Sequence, residues 1–125
     1  MRLSLAYLFL FSIAATAAPP VTVVAYNSEA TLLVAGTRGT VTLIEPNKGE
    51  IVAALPEQTQ RVTALAFSKA NLLAVASGET GKSGIVKIYD AKVAKTPKLI
   101  ATHPAHKDIV YSLAFDPSGQ TLATT

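Results

Sequence analysis

The sequence repeats itself. Residues 21–26 (VTVVAY), 32–36 (LLVAG), 40–45 (TVTLIE) and 50–55 (EIVAAL) are short β-branched or apolar runs. The same order returns at 62–67 (VTALAF), Leu72-Leu73, 85–90 (IVKIYD) and 98–102 (KLIAT). A third copy opens at 109–115 (IVYSLAF) and 121–124 (TLAT), so the copies lie 41 to 48 residues apart. Such runs read as strands when Gly, Pro, Asn and Asp separate them. Arg38-Gly39 and Pro46-Asn47-Lys48-Gly49 supply that turn chemistry. A period in this range with four strands per unit points to β-propeller blades. The expected fold is therefore all-β, with blades of four antiparallel strands. Blade 1 is placed at about 21–56, blade 2 at about 62–103 and the start of blade 3 at about 109–125.

Residues 1–17 stand apart from this pattern. Arg2 is a short positive region, residues 3–15 (LSLAYLFLFSIAA) are apolar, and Ala15-Thr16-Ala17 offers small residues at a cleavage site. This is the layout of a signal peptide. The apolar run is shorter than the roughly 20 residues a spanning helix needs. Pro19-Pro20 then ends it. The expectation is an exported protein, periplasmic or extracellular, with no stable membrane insertion after cleavage. A retained anchor and a buried helix are the alternatives. Without cysteine, this chain has no disulfide, thiolate metal site or c-type haem attachment. A net charge of +3 over 125 residues is too small to argue for nucleic acid.

The repeated residues resemble the WD-repeat (WD40) family. The closest stretch is 105–125 (AHKDIVYSLAFDPSGQTLATT), which is similar to the opening of a family blade. Residues 62–90 also resemble a blade, with Tyr89-Asp90 where the family usually has Trp-Asp; Ile44-Glu45 stands there in the first copy. The family's buried network joins a His, a Ser or Thr, an Asp in a tight turn and the Trp. By resemblance His106 takes the His position before the third copy, Ser77 the hydroxyl, and Asp116 and Gly119 turn positions. Gln58 replaces the His before the second copy, Arg38 stands where the first copy should carry the turn Asp, and the chain has no Trp. A longer loop is expected over 79–84 instead of a tight turn. No blade then carries the full network, and packing of Leu, Val and Ile must supply most of the stability. First strands are expected to be covered on both faces, and the third strand to be more exposed. Closure, if any, would come from the whole first blade docking on the last.

Several groups suggest chemistry and are better explained by structure. Residues 76–83 (ASGETGKS) fit a relaxed phosphate-loop pattern with Ala76 for the first Gly, then Lys82 and Ser83. Such a loop needs a helix after it, whereas β-branched residues follow here, so a hairpin is expected. His103 and His106 could share a helix face for a metal. Pro104 argues against the helix, and a loop His with a satisfied hydrogen bond is the expectation. The carboxylates are scattered, and no acid/base pair or nucleophile elbow stands out. Lys92, Lys95 and Lys98 suit a solvated connection, with an anion-binding patch as the alternative. Tyr26, Phe67, Tyr89, Tyr111 and Phe115 fall on expected strands and read as core.

The functional expectation is a non-catalytic, exported WD40-like scaffold that binds protein partners, without cofactor, metal or nucleic acid. The protein partner is implied by the resemblance, as is a bacterial-type source. A propeller enzyme, oxidoreductase or hydrolase, with its site elsewhere is the alternative; a nucleotide binder using Lys82 is the third. About two and a half blades of roughly 40–45 residues fit the sequence, fewer than the 4–8 that close a ring. The expectation is an N-terminal piece of a longer chain, carrying more blades and a haem or other domain beyond Thr125. Such a piece alone would be marginally stable.

Overall fold

The computed structural model describes residues 19–58 and 60–125. The leader assigned to residues 1–17 lies outside them. Ten strands form three antiparallel sheets in chain order. Sheet 1 holds β1 (Val23–Tyr26), β2 (Leu33–Gly36), β3 (Val41–Glu45) and β4 (Glu50–Leu55). Sheet 2 holds β5 (Arg61–Phe67), β6 (Leu72–Glu79), β7 (Ser83–Asp90) and β8 (Lys98–His106). Sheet 3 is the pair β9 (Leu113–Phe115) and β10 (Leu122–Thr124). The architecture is that of partial propeller blades with open sheet edges. The first strands line up side by side, with β1 against β5 and β5 against β9. β1 belongs to its own sheet, pairing Val23 with Gly36 and Tyr26 with Leu33.

Sequence alternation decides which side chains meet between sheets. Leu32, Val34, Val41, Leu43 and Leu55 of sheet 1 pack against Val62, Leu73, Val75 and Tyr89 of sheet 2. Ala64, Ala74, Ala76, Val86 and Ile88 form the opposite face of sheet 2 and meet Val110 and Leu113. Each Leu or Val so enclosed contributes about 1.5–3 kcal/mol relative to an exposed one. Close approach of the first two sheets needs Gly36. A Cβ there would stand 2.6 Å from Val62 Cγ1 and 3.0 Å from Val23 Cγ1.

Four local expectations are corrected. In the two four-stranded sheets the second strands, not the first, are the most enclosed: β2 is buried throughout and β6 nearly so, while β1 alternates between half-buried and exposed residues. A second strand has a neighbour on each side, whereas β1 is the edge of its sheet. The third strand is likewise not generally exposed, since Val86 and Tyr89 of β7 are buried. The expected loop at 79–84 is a three-residue turn, because Glu79 pairs with Ser83 and Lys82 N–H donates to Glu79 O at 3.0 Å. The two histidines lie on β8, not in a loop. Pro104 is tolerated because β8 is an edge strand, and a bulge between Gly84 and Val86 absorbs the irregularity.

Candidate functional site

The three turns joining first to second strands share one geometry built from different residues. Asn27 Oδ1 accepts from the N–H groups of Thr31 and Leu32 at 2.9 and 3.0 Å. Ser68 Oγ accepts from Leu72 N–H at 3.1 Å. Asp116 Oδ1 accepts from Gln120 and Thr121 N–H, each at 3.0 Å. The residue three places on has a positive φ in each: Ala30 at 55°, Asn71 at 60° and Gly119 at 74°. Ser118 Oγ also donates to Asp116 Oδ2 at 2.6 Å, and with the backbone N–H groups holds this carboxyl below its ordinary range. These residues build turns and leave no free reactive group there.

A polar chain, buried at Gln58 and Tyr89 and exposed at Glu57, spans from the linker after β4 to β7. Gln58 Nε2 donates to the Tyr89 hydroxyl at 2.8 Å, and that hydroxyl donates to Glu57 Oε1 at 3.0 Å. Tyr89 is 1% exposed. Burial pushes its hydroxyl up to about 12, against the smaller opposing effect of the Gln58 hydrogen bond. Gln58 Oε1 is buried without a partner among the described residues, so Ser77 does not join this chain through it. Ser77 is itself buried on β6, opposite Val62 and Ile85. Asp90 ends β7 and accepts from Lys92 N–H at 3.0 Å. His106 Nε2 lies 2.8 Å from Thr124 Oγ1, joining sheet 2 to sheet 3. His103 is exposed on the same strand, opposite Val86. Among the described residues no three His, Asp or Glu side chains cluster as a metal site would require. The 76–83 segment is strand, turn and strand, with no helix to cradle a phosphate.

The candidate site lies elsewhere, at the rim where β1 and β5 begin and β2 and β6 end. A cleft of about 380 Å³ opens there between the three sheets, lined by Thr22, Arg38, Gln60, Arg61, Thr80 and Tyr111, among others. The strand ends are tied together beneath it. Thr22 Oγ1 donates to Val62 O at 2.7 Å, and Ser83 Oγ donates to Gln60 Oε1 at 3.0 Å. Two carboxylates near it are engaged locally. Glu79 is held below its ordinary range chiefly by the Lys82 ammonium at 2.8 Å, with a smaller pull from Arg38. Asp108 is held down by the N–H groups of Gly81 and Ile109, at 2.8 and 2.7 Å.

Sequence reasoning missed this cleft. In the sequence Arg38 reads as part of a turn and as a departure from the repeat pattern, Arg61 carries no signal, and Tyr111 reads as core. Tyr111 is instead 68% exposed, and Tyr26 is 44% exposed. Among the described residues no sheet covers either, Tyr26 lying on the edge strand β1 and Tyr111 just before β9. A run of strand-forming residues does not show which face will lack a neighbour.

The model for WD domain, G-beta repeat, matches residues 49–90 and 97–125. Nothing among the curated proteins matches the chain. The first match starts before β4 and runs through β7; the second starts before β8 and runs through β10. Each repeat unit thus takes its first strand from one sheet and the rest from the next, so the chain itself links adjacent blades. With more than half of the chain matched, this protein belongs to the family of WD domain, G-beta repeat proteins.

Proposed function

We propose that this chain is the propeller part of an exported, bacterial-type, non-catalytic scaffold that binds a partner protein in the rim cleft. WD40 domains generally act as protein-interaction scaffolds, which supports the coarse reading. The observation that carries the location is the lining of the cleft. Exposed Tyr111 stands with Arg38 and Arg61 at the junction of three sheets. Tyr and Arg are the residue types that most often dominate binding energy at protein interfaces. Backbone hydrogen bonds on either side of the Arg38–Arg61 bridge, and from Tyr111 N–H to Thr125 O, hold the backbone that carries them. The leader-like residues 1–17 support export.

A photo-crosslinking amino acid at position 111 tests this reading, with the same group at position 92 as control. Lys92 follows β7 at the opposite end of sheet 2. Crosslinks to a defined protein from position 111 alone are expected. Equal crosslinking from both positions, or none from 111, rejects the cleft as the binding site.

A further inference from the structure

We propose that the rim cleft takes an acidic segment of the partner protein, with Arg38 and Arg61 together binding its carboxylates. This rests on the protein-binding reading above and names the chemistry of the partner. Arg38 and Arg61 form an isolated antiparallel bridge between the end of sheet 1 and the start of sheet 2. The flanking bonds are Gly39 N–H to Gln60 O at 3.2 Å and Val62 N–H to Thr37 O at 2.9 Å. The two arginines are therefore a non-hydrogen-bonded pair, the arrangement that brings facing side chains closest, with Cα atoms about 4.5 Å apart. Both side chains leave the ladder on the same side. Like charges directly opposite each other are destabilising.

Among the described residues only a weak attraction between Arg38 and the Glu79 carboxylate offsets this. The salt bridge found there joins Lys82 to Glu79 and includes neither arginine. The carboxylates beside the cleft are Glu79, which lines it, and Asp108, next to the lining residue Ile109. Glu79 is taken by Lys82, and Asp108 by two backbone N–H groups. The local charge is thus three cations against two occupied anions. A pair of incoming carboxylates would remove the repulsion and gain charge-assisted, bidentate hydrogen bonds. The remaining wall selects a polypeptide over a bare anion. Ile109 and exposed Tyr111 offer apolar surface beside the hydroxyl of Thr80 and the amide of Gln60.

The arrangement makes folding and binding respond in opposite directions. Arg38→Gln or Arg61→Gln removes the like-charge contact, so either variant should unfold at higher urea than the parent. Each should bind an acidic peptide about tenfold more weakly. The probe is a fluorescently labelled hexaglutamate titrated against the full chain, with hexaglutamine and hexalysine as comparisons. Hexaglutamate alone should bind, more weakly as salt rises, with Lys92→Gln unchanged. Arginine variants that bind hexaglutamate as well as the parent would overturn the proposal, as would hexaglutamine binding equally well. Tighter arginine-dependent binding of a dT12 oligonucleotide or of phosphatidylserine vesicles would also overturn it, in favour of nucleic acid or membrane. If crosslinking from position 111 survives in the double arginine variant while hexaglutamate does not bind, the acidic partner is wrong and the protein-binding cleft stands.

Discussion

The two faces of sheet 2 are covered in different ways. Towards sheet 1, Val62, Leu73, Val75 and Tyr89 meet Val34, Val41 and Leu43, all at most 1% exposed. Towards sheet 3 the same strands present Ala64, Ala74 and Ala76, with Val86 and Ile88 further out. Among the described residues β9 and β10 cover this side, and Phe115 and Leu122 are partly buried. A groove of about 390 Å³ opens there, reaching from Phe115 and Leu122 past Val86 and Ile88 to His103. The first interface is sealed by large side chains across its width. Among the described residues the second is sealed near the first strands, by Val110 and Leu113. The first junction thus buries large branched side chains, whereas the second, among the described residues, pairs small alanines with Val110 and Leu113.

Truncation should expose this difference most strongly. Leu43→Ala leaves a cavity in the sealed interface and should cost about 3 kcal/mol, because neighbours on both sheets prevent collapse. Leu122→Ala borders the open groove and should cost about 1 kcal/mol, since solvent already reaches its site. Urea unfolding with an unchanged slope reads both values. Equal losses would mean that the two interfaces are equally packed.

Tyr89 offers a smaller probe of the sealed side. Tyr89→Phe removes the hydrogen bonds with Gln58 and Glu57 and should cost about 1 kcal/mol. It should also change the alkaline limb of stability. Burial raises this hydroxyl from 10.0 to about 12, so the folded state holds the proton more tightly than the unfolded one. That contribution is fully present below pH 10 and is lost as pH rises from 10 towards 12. Comparing unfolding midpoints of the parent and Tyr89→Phe between pH 9 and 12 isolates it. Parallel pH profiles would show that Tyr89 does not titrate against folding.

Much of this architecture was legible because its signals are local. Runs such as 62–67 and 85–90 alternate with turn residues within a few positions, and strand order follows from them. The edges were less legible. β8 runs to His106 because an edge strand tolerates Pro104, and within 98–106 that proline alone signals an edge, a signal that reads equally well as a strand end. The Arg38–Arg61 bridge joins two sheets, so it depends on how blades meet and not on either segment. The chain Gln58–Tyr89–Glu57 is likewise long-range. Gln58 was seen only as a substitute for His, without its partner.

The smallest effect compares the two outer turns. Ala30 and Gly119 occupy the same position, three residues after Asn27 and Asp116, and both adopt the left-handed backbone. Gly pays no steric cost there, whereas a Cβ crowds the following carbonyl. The two turns make the same backbone bond, Ala30 N–H to Asn27 O at 3.0 Å and Gly119 N–H to Asp116 O at 2.9 Å. The strain at Ala30 is therefore not needed to form the turn. Ala30→Gly should raise stability by about 0.5 kcal/mol, the relief being partly offset by the greater freedom of Gly in the unfolded chain. Gly119→Ala should lower it by about 1 kcal/mol, because its added Cβ also comes within 3.3 Å of Ser68 Cβ. Thermal midpoints that move in opposite directions establish the equivalence. A loss of stability in Ala30→Gly would mean that Asn27, whose Nδ2 donates to Asn71 Oδ1 at 3.2 Å, ties this turn to sheet 2 in a way that Ala30 supports.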